Sequence, residues 1–341
     1  MPCTTPAALV RFLRLVETPK IAVILPCYRA RAQVLEVLAQ IGPECGAIFV
    51  VDDACPEGSG KHVASECRDP RVRVLYHSVN QGVGGATMTG YRAALELGAE
   101  ILVKLDADGK MDPARIPSLV AALERGEADY AKGNRFFDLE GLGDMPWVRL
   151  FGNSMLSFLN KLSSGYWELF DPTNGFTALH AAVARRLPWE KIARRYFFES
   201  DLLFRLGALR ALVVDVPMPA RYGEEHSNLR VRQVLPEFAW KHLLNTGKRV
   251  LYRYYLRDFN IASLELVFGL LLVAGGALFG VFQWIAGSRS GSVSSSGTVM
   301  LAALPVLLGM QFLLAFLSFD MHGAPKSPLH RRLEAPRRPC A

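Results

Sequence analysis

The chain has 341 residues, half of them hydrophobic, and a net charge of +7. It is long enough for one large domain or two small ones, and forming a core is not the limiting problem. Its six cysteines, at 3, 27, 45, 55, 67 and 340, include no CxxC pair and no zinc-like histidine spacing, which argues against a redox motif or a structural zinc site. Much of the excess positive charge lies in the C-terminal third, which points to an anionic surface as partner and gives no reason to invoke nucleic acid.

The first segment, "MPCTTPAALVRFLRLVETPK" (1–20), carries arginines inside its apolar stretch and no small-residue cleavage site, so it does not read as a secretory signal. The body of the protein is expected in the cytoplasm. From Ile21 to about Val216, short β-branched runs alternate with amphipathic stretches. The runs are "IAVIL" (21–25), "AIFVV" (47–51), "VRVLY" (72–76), "ILVKL" (101–105) and "LVVDV" (212–216). Strands spaced by helices predict βαβ units and a mainly parallel α/β sheet.

Beyond Arg257 come two apolar runs, "LELVFGLLLVAGGALFGVFQWIA" (264–286) and "VMLAALPVLLGMQFLLAFLSF" (299–319), each near the ~20 residues that cross a bilayer. A flexible polar loop (287–298) separates them, and basic stretches flank the pair at 241–258 and 326–339. The positive-inside rule then places both flanks and both termini in the cytosol, at the inner (cytoplasmic) membrane. The segment 237–258, basic and aromatic, reads either as an interfacial helix or as a helix packed on the soluble domain.

Polar residues cluster after the strands, where open α/β sheets bind ligands. Pro26, Cys27 and Tyr28 follow the first run, Asp52 and Asp53 the second, and Asp106, Ala107 and Asp108 the fourth. In an extended segment or tight turn, carboxylates at i and i+2 point the same way. They can share one hard divalent cation, with diphosphate oxygens and water completing its shell. Asp52 and Asp53 are placed either to accept hydrogen bonds from a nucleoside or to cap the next helix. "NQGVGGA" (80–86) follows the third run and no glycine loop follows the first, so a nicotinamide enzyme is disfavoured; these glycines serve close backbone approach.

The ordered set "LPCY", "VVDDACPEGSG", "NQGVGGA", "LDADGKMDP", "KGNRF", "DPTNGF" and "FFESDLLFRL" resembles the family 2 glycosyltransferases of the GT-A fold. Within them it is similar to the dolichol-phosphate mannose synthase and polyprenyl-phosphate glycosyltransferase branch, over about residues 20–230. The resemblance implies an N-terminal segment (1–19), a GT-A domain (20–230), juxtamembrane amphipathic helices (231–262), two transmembrane helices (263–320) and a basic cytoplasmic tail (321–341). It also implies that Asp106 and Asp108 hold Mg²⁺ or Mn²⁺ on a nucleotide-diphosphate sugar. Pro26, Tyr28, Asp52, Asp53 and Ala107 would line the nucleotide pocket. Arg135, Arg149 and Asn153 would hold the lipid phosphate, arginine being suited to it by its permanent charge and bidentate geometry. Arg221 and Ser227, in "RYGEEHSNLR" (221–230), fall where the branch closes a mobile loop over the diphosphate.

Some positions depart from the branch. Asn228 stands where lysine is common, Arg29 and Ala30 replace the usual Asn-Glu, and Lys110 replaces the glutamine that often follows D-x-D. A protonated lysine cannot ligate a metal, so Lys110 is expected to pair with Asp112 or reach a phosphate. Glu199 and Asp201 are the candidate catalytic acids, needed as a base if the acceptor is a hydroxyl and as orienting groups if it is a lipid phosphate. The sequence therefore predicts a metal-dependent, inverting, membrane-anchored glycosyltransferase acting on polyprenyl phosphate, with a homo-oligomer allowed. Transfer to a lipid-linked saccharide and a non-catalytic nucleotide-binding scaffold are the alternatives.

Overall fold

The structure is a computed structural model that describes residues 19–137, 147–219 and 231–334; for 147–151, 153 and 231–235 only the backbone is described. Its elements run β1 (Ile21–Cys27), α1 (Val34–Ala39), β2 (Cys45–Asp52), α2 (Ser59–Glu66), β3 (Val72–Tyr76), α3 (Val83–Glu96) and β4 (Ile101–Lys104). There follow α4 (Ile116–Glu124), β5 (Tyr130–Asn134), α5 (Trp147–Ser164), β6 (Thr177–His180), α6 (Ala181–Ala184), α7 (Phe198–Leu209) and β7 (Val213–Pro217). The C-terminal part is helical: α8 (Val231–Leu251), a π-helical turn (Tyr252–Arg257), α9 (Ile261–Ser290), α10 (Ser296–His322) and α11 (Leu329–Glu334).

The seven strands form one sheet in the order β3-β2-β1-β4-β6-β5-β7. Strands β3, β2, β1 and β4 are parallel to one another and β5 is parallel to β7, while β6 runs antiparallel between β4 and β5. Alternate residues of β1 feed two cores. Val23 and Leu25 pack with Val34, Leu38 and Leu119 on one face, and Ala22 and Ile24 with Tyr91, Leu202 and Leu206 on the other. The five predicted strands are present. The two that the pattern missed, β5 (YAKGN) and β6 (TALH), are short and rich in polar residues, yet nearly all are buried in the sheet.

Helix α8 fits both readings of its sequence. Phe238, His242, Asn245 and Arg249 recur at helical spacing and are buried, while Trp240, Leu243 and Leu244 on the other face are exposed. Helices α9 and α10, of 30 and 27 residues, are long and apolar enough to cross a membrane. Their apolar side chains face outward, Leu271, Phe282, Trp284 and Leu301 among them, which is the reverse of two helices buried in a soluble core. The connection between them is shorter than the predicted 287–298 loop. Helix α9 continues to Ser290, Gly291 caps it in the left-handed region, and Ser295 already caps α10.

Two buried carboxylates join this hairpin to the α/β body. Asp320, in the last turn of α10, accepts Arg249 Nη1 and Nη2 at 2.7 and 2.9 Å, Tyr254 Oη at 2.6 Å and Trp167 Nε1 at 2.9 Å. Asp129, just before β5, accepts the backbone N–H groups of Leu329 and His330 at the start of α11 at 2.6 and 2.8 Å, and contacts His330 Nδ1 at 2.7 Å. The chain thus returns to the α/β body after α10.

Candidate active site

Because β1, β2 and β4 are parallel neighbours, their carboxyl ends open on one edge of the sheet. At that edge β4 ends in Lys104, followed by Leu105 and the Asp106-Ala107-Asp108 segment. Lys104 is buried, and its Nζ lies 2.7 Å from Asp106 Oδ1, 3.2 Å from Glu199 Oε1 and 3.3 Å from the Gly175 carbonyl. Burial alone would lower the Lys104 pKa, but the charges of Asp106 and Glu199 outweigh it and hold the ammonium protonated. Glu199 comes from the first turn of α7, where the helix dipole favours an acid. Its pKa is raised, first by burial and then by Asp106, with Lys104 opposing.

Asp108 faces solvent and is bridged by its own neighbour. Lys110 Nζ lies 3.0 Å from Asp108 Oδ2, and the Lys110 N–H donates to Asp108 Oδ1 at 3.1 Å. Lys110 is thus bonded to the second aspartate of D-x-D, where Asp112 or a phosphate was expected. The tight turn over Gly109, at φ 73°, folds the lysine back. Asp112 caps the short helical turn beginning at Pro113, accepting the Ala114 N–H at 3.1 Å.

Pro26 and Tyr28 at the end of β1 adjoin the end of β2, Pro26 in register with Val51, and Tyr28 is half exposed with Arg29 stacked 5.5 Å from its ring centroid. Asp52 and Asp53 are buried and already occupied. Asp52 accepts the Cys55 and Gly60 N–H groups at 2.7 and 2.6 Å. Asp53 accepts those of Gln81 and Gly82 at 2.8 and 2.7 Å, and His77 Nδ1 lies 2.7 Å from it. Both carboxylates therefore brace the loops around the edge, Asp52 the turn that leads into α2 and Asp53 the segment that leads into α3. The glycine-rich start of α3 also matches its reading: a Cβ on Gly84 would stand 2.7 Å from the Phe198 ring, so this helix seats directly against the start of α7.

Arg135 forks onto Asp171, its Nε and Nη2 donating to Oδ2 and Oδ1 at 2.7 and 2.8 Å. Asp171 belongs to the "DPTNGF" loop, which continues through Asn174 to Gly175. A Cβ at Gly175 would lie 2.4 Å from Lys104 Nζ and 2.5 Å from Asp106 Oδ2, so only glycine leaves room there. One loop thus positions Arg135 and leaves Asp106 Oδ2 open. Asp201 points elsewhere: two residues after Glu199 a helix has turned ~200°. It accepts the Ala193 N–H at 2.9 Å and Asn245 Nδ2 at 3.2 Å, tying α7 to the preceding loop and to α8. Arg149 and Asn153 lie on α5 but their side chains are outside the described residues, as are Arg221 and Ser227 altogether.

Among the described residues no group of three or more His, Cys, Asp or Glu side chains is gathered to hold a metal. The site fits a divalent ion in another way. Asp106 and Asp108 offer hard, partly exposed carboxylate oxygens, 31% and 39% accessible, in a space that Gly175 keeps clear. The remaining coordination positions would fall to a ligand and water.

A mainly parallel sheet with a carboxylate pair at its carboxyl edge and no glycine loop after β1 defines a GT-A-like fold, and the comparisons agree. Glucosyl-3-phosphoglycerate synthase from Mycobacterium tuberculosis, solved with Mn²⁺, UDP and glucosyl-3-phosphoglycerate, superposes with a TM-score of 0.52 over 73% of this chain and 86% of that one, at 19% identity. Residues 22–187 match the model for "Glycosyl transferase family 2". The undecaprenyl-phosphate mannosyltransferase of Micrococcus luteus is 33% identical over 173 residues, 50% of this chain and 70% of the relative. The polyprenol monophosphomannose synthase of Mycolicibacterium smegmatis is 30% identical over 207 residues, 59% of this chain and 77% of the relative. The chain belongs to glycosyltransferase family 2.

Proposed function

We propose that this protein transfers a sugar, with inversion, from a nucleotide-diphosphate donor to polyprenyl phosphate at the cytoplasmic leaflet of the membrane. The observation that carries the reading is the Lys104, Asp106 and Glu199 cluster at the sheet's carboxyl edge, in a chain that also has two helices long and apolar enough to cross a membrane. The similarity to two polyprenyl-phosphate mannosyl-transferring enzymes supports it.

In this reading Pro26, Tyr28, Ala107 and the loops braced by Asp52 and Asp53 line the nucleotide pocket. Asp106 and Asp108 would hold Mg²⁺ or Mn²⁺, which when bound supplies positive charge against the departing diphosphate. Lys104 fixes Asp106 from below, and Glu199 holds Lys104 in turn. Arg135 draws the acceptor phosphate, set by the Asp171 fork, with Arg149, Asn153 and Ser227 as its proposed companions, while Arg221 closes over the donor diphosphate as a catalytic cation. A lipid phosphate oxygen bonds to the anomeric carbon as the bond to the β-phosphate oxygen breaks, and the electron pair leaves on the diphosphate. That oxygen is already anionic near neutral pH, so no strong base is required and Asp201 is assigned a structural part. Cations are needed because two phosphate groups of like charge must approach.

The test is mass spectrometry of the lipid product made by the purified full-length chain from a panel of nucleotide sugars and polyprenyl phosphate. A glycosylated polyprenyl phosphate, lost in Asp106→Ala and Asp108→Ala, supports the reading. Sugar appearing only on an added lipid-linked saccharide sinks it.

A further inference from the structure

Where α9 leaves the α/β body and α10 returns to it, a cavity of about 430 Å³ opens between the ends of α5 and α7 and the π-helical turn. Its lining includes Lys191, Arg205, Arg210, Lys248, Arg253 and Arg257, and contains no aspartate or glutamate. Some of this charge is accounted for. Arg253 reaches Asp320, and Arg257 Nη1 donates to the Ala208 carbonyl at 3.0 Å. Lys191, Arg210 and Lys248 meet no carboxylate at ion-pair distance among the described residues.

Arg210 is the centre of the cluster. It caps α7 at φ 60°, a backbone region that costs most side chains energy. Its pKa is lowered, first by burial and then by the charges of Arg253, Arg257 and Arg332, with Asp258 opposing. The three cations left without a carboxylate partner, Lys191, Arg210 and Lys248, on the lining of one cavity are what an anion would neutralise. The cavity is separate from the candidate active site, since Glu199 and Arg210 lie at opposite ends of α7, about 16 Å apart along its axis.

We propose that this cavity binds the phosphate headgroup of an anionic membrane phospholipid, at a site distinct from that of Asp106 and Asp108. Its position selects a lipid over a free phosphate. The π-helical turn runs almost directly into α9, and Gly323 and Pro325 follow immediately on α10, so the mouth stands level with the ends of both helices at the bilayer surface. Leu256, Phe259 and Ile261 beside it are all more than 60% exposed and would sit among acyl chains. The proposal rests on reading α9 and α10 as membrane spans.

The experiment is native mass spectrometry of the full-length chain released from nanodiscs of phosphatidylcholine, with or without phosphatidylglycerol. Wild type is expected to retain phosphatidylglycerol about tenfold or more over phosphatidylcholine, and the double variant Arg210→Asn/Lys248→Gln to lose that preference. Asparagine tolerates the left-handed backbone, and Lys248→Arg, which keeps the charge, is expected to keep the lipid. Equal retention by the double variant and wild type overturns the proposal. So does displacement of the lipid by millimolar glycerol 1-phosphate, which would make the occupant a soluble phosphate. A chain that fails to float with vesicles of either composition removes the membrane reading and the proposal with it, while transfer assayed in detergent with polyprenyl phosphate still reports on the active site by itself.

Discussion

Lys104 Nζ reaches Glu199 Oε1 at 3.2 Å, so the last residue of β4 and the first turn of α7 are joined directly beneath Asp106. Replacing Lys104 with methionine leaves Glu199 and Asp106 without their shared cation in a buried setting. The expected result is a loss of stability of about 3–5 kcal/mol, because a partner of a buried ion pair is stranded. Denaturant or thermal unfolding of the detergent-solubilised chain measures it.

The same pair sets the acid side of the pH profile. Glu199 has a raised pKa, so its ionised form, which holds Lys104, is lost at a higher pH than for an ordinary carboxylate. Transfer is expected to fall as pH drops toward that raised value, and Glu199→Gln to flatten the acid limb while lowering the rate at every pH. An unchanged acid limb in the variant would show that another group controls it.

Lys110 competes for Asp108 with any cation brought to the site. Removing it by Lys110→Gln is expected to lower the Mg²⁺ or Mn²⁺ concentration that gives half-maximal transfer by up to about fivefold, the range for an exposed pair. Titrating the divalent ion back after chelation reads this out, and a shift to higher concentration contradicts the pairing.

His242, buried in α8 with its Nδ1 2.8 Å from Ser163 Oγ, has its pKa pushed down by burial to about 4. Its contribution to stability is present above the unfolded value near 6.5 and is lost as pH falls from there toward 4. The integrated effect is about 3 kcal/mol. The slope of stability against pH over this window is expected to be shallower in His242→Asn than in wild type.

Asp320 collects Arg249, Arg253, Tyr254 and Trp167 in the last turn of α10. Asp320→Ala strands two arginines and is expected to cost about 3–5 kcal/mol. A double-mutant cycle with Arg249→Met checks it: the two losses should be strongly non-additive.

The parallel half of the sheet was legible because β1, β2 and β4 are near-continuous apolar runs, each ending in polar residues. Strand β5 was not, since Lys132 and Asn134 are buried through a partner far along the chain, Asp215. The place of Asp106 and Asp108 at the carboxyl edge of the sheet was legible because they follow the apolar run of β4. Lys104 was overlooked as a site residue although a lysine inside a buried strand must have counter-charges nearby, and that signal was available. The loop-bracing contacts of Asp52 and Asp53 were not legible, because their partners Gly60, Gln81 and Gly82 lie 8 to 29 residues further along the chain. Asp320 gave no signal of its own in sequence, because its partners Arg249, Tyr254 and Trp167 lie 66 to 153 residues away along the chain.

The docking of α11 on Asp129 has a mechanical side. A domain on a single tether can swivel about it and rise or fall with the tether's slack. Here the chain is fastened on the way into the apolar hairpin, by α8, and again on the way out, by Asp129 and His330. Two anchorage points remove the swivel, so the height and facing of the Asp106 edge relative to the hairpin are properties of the fold itself.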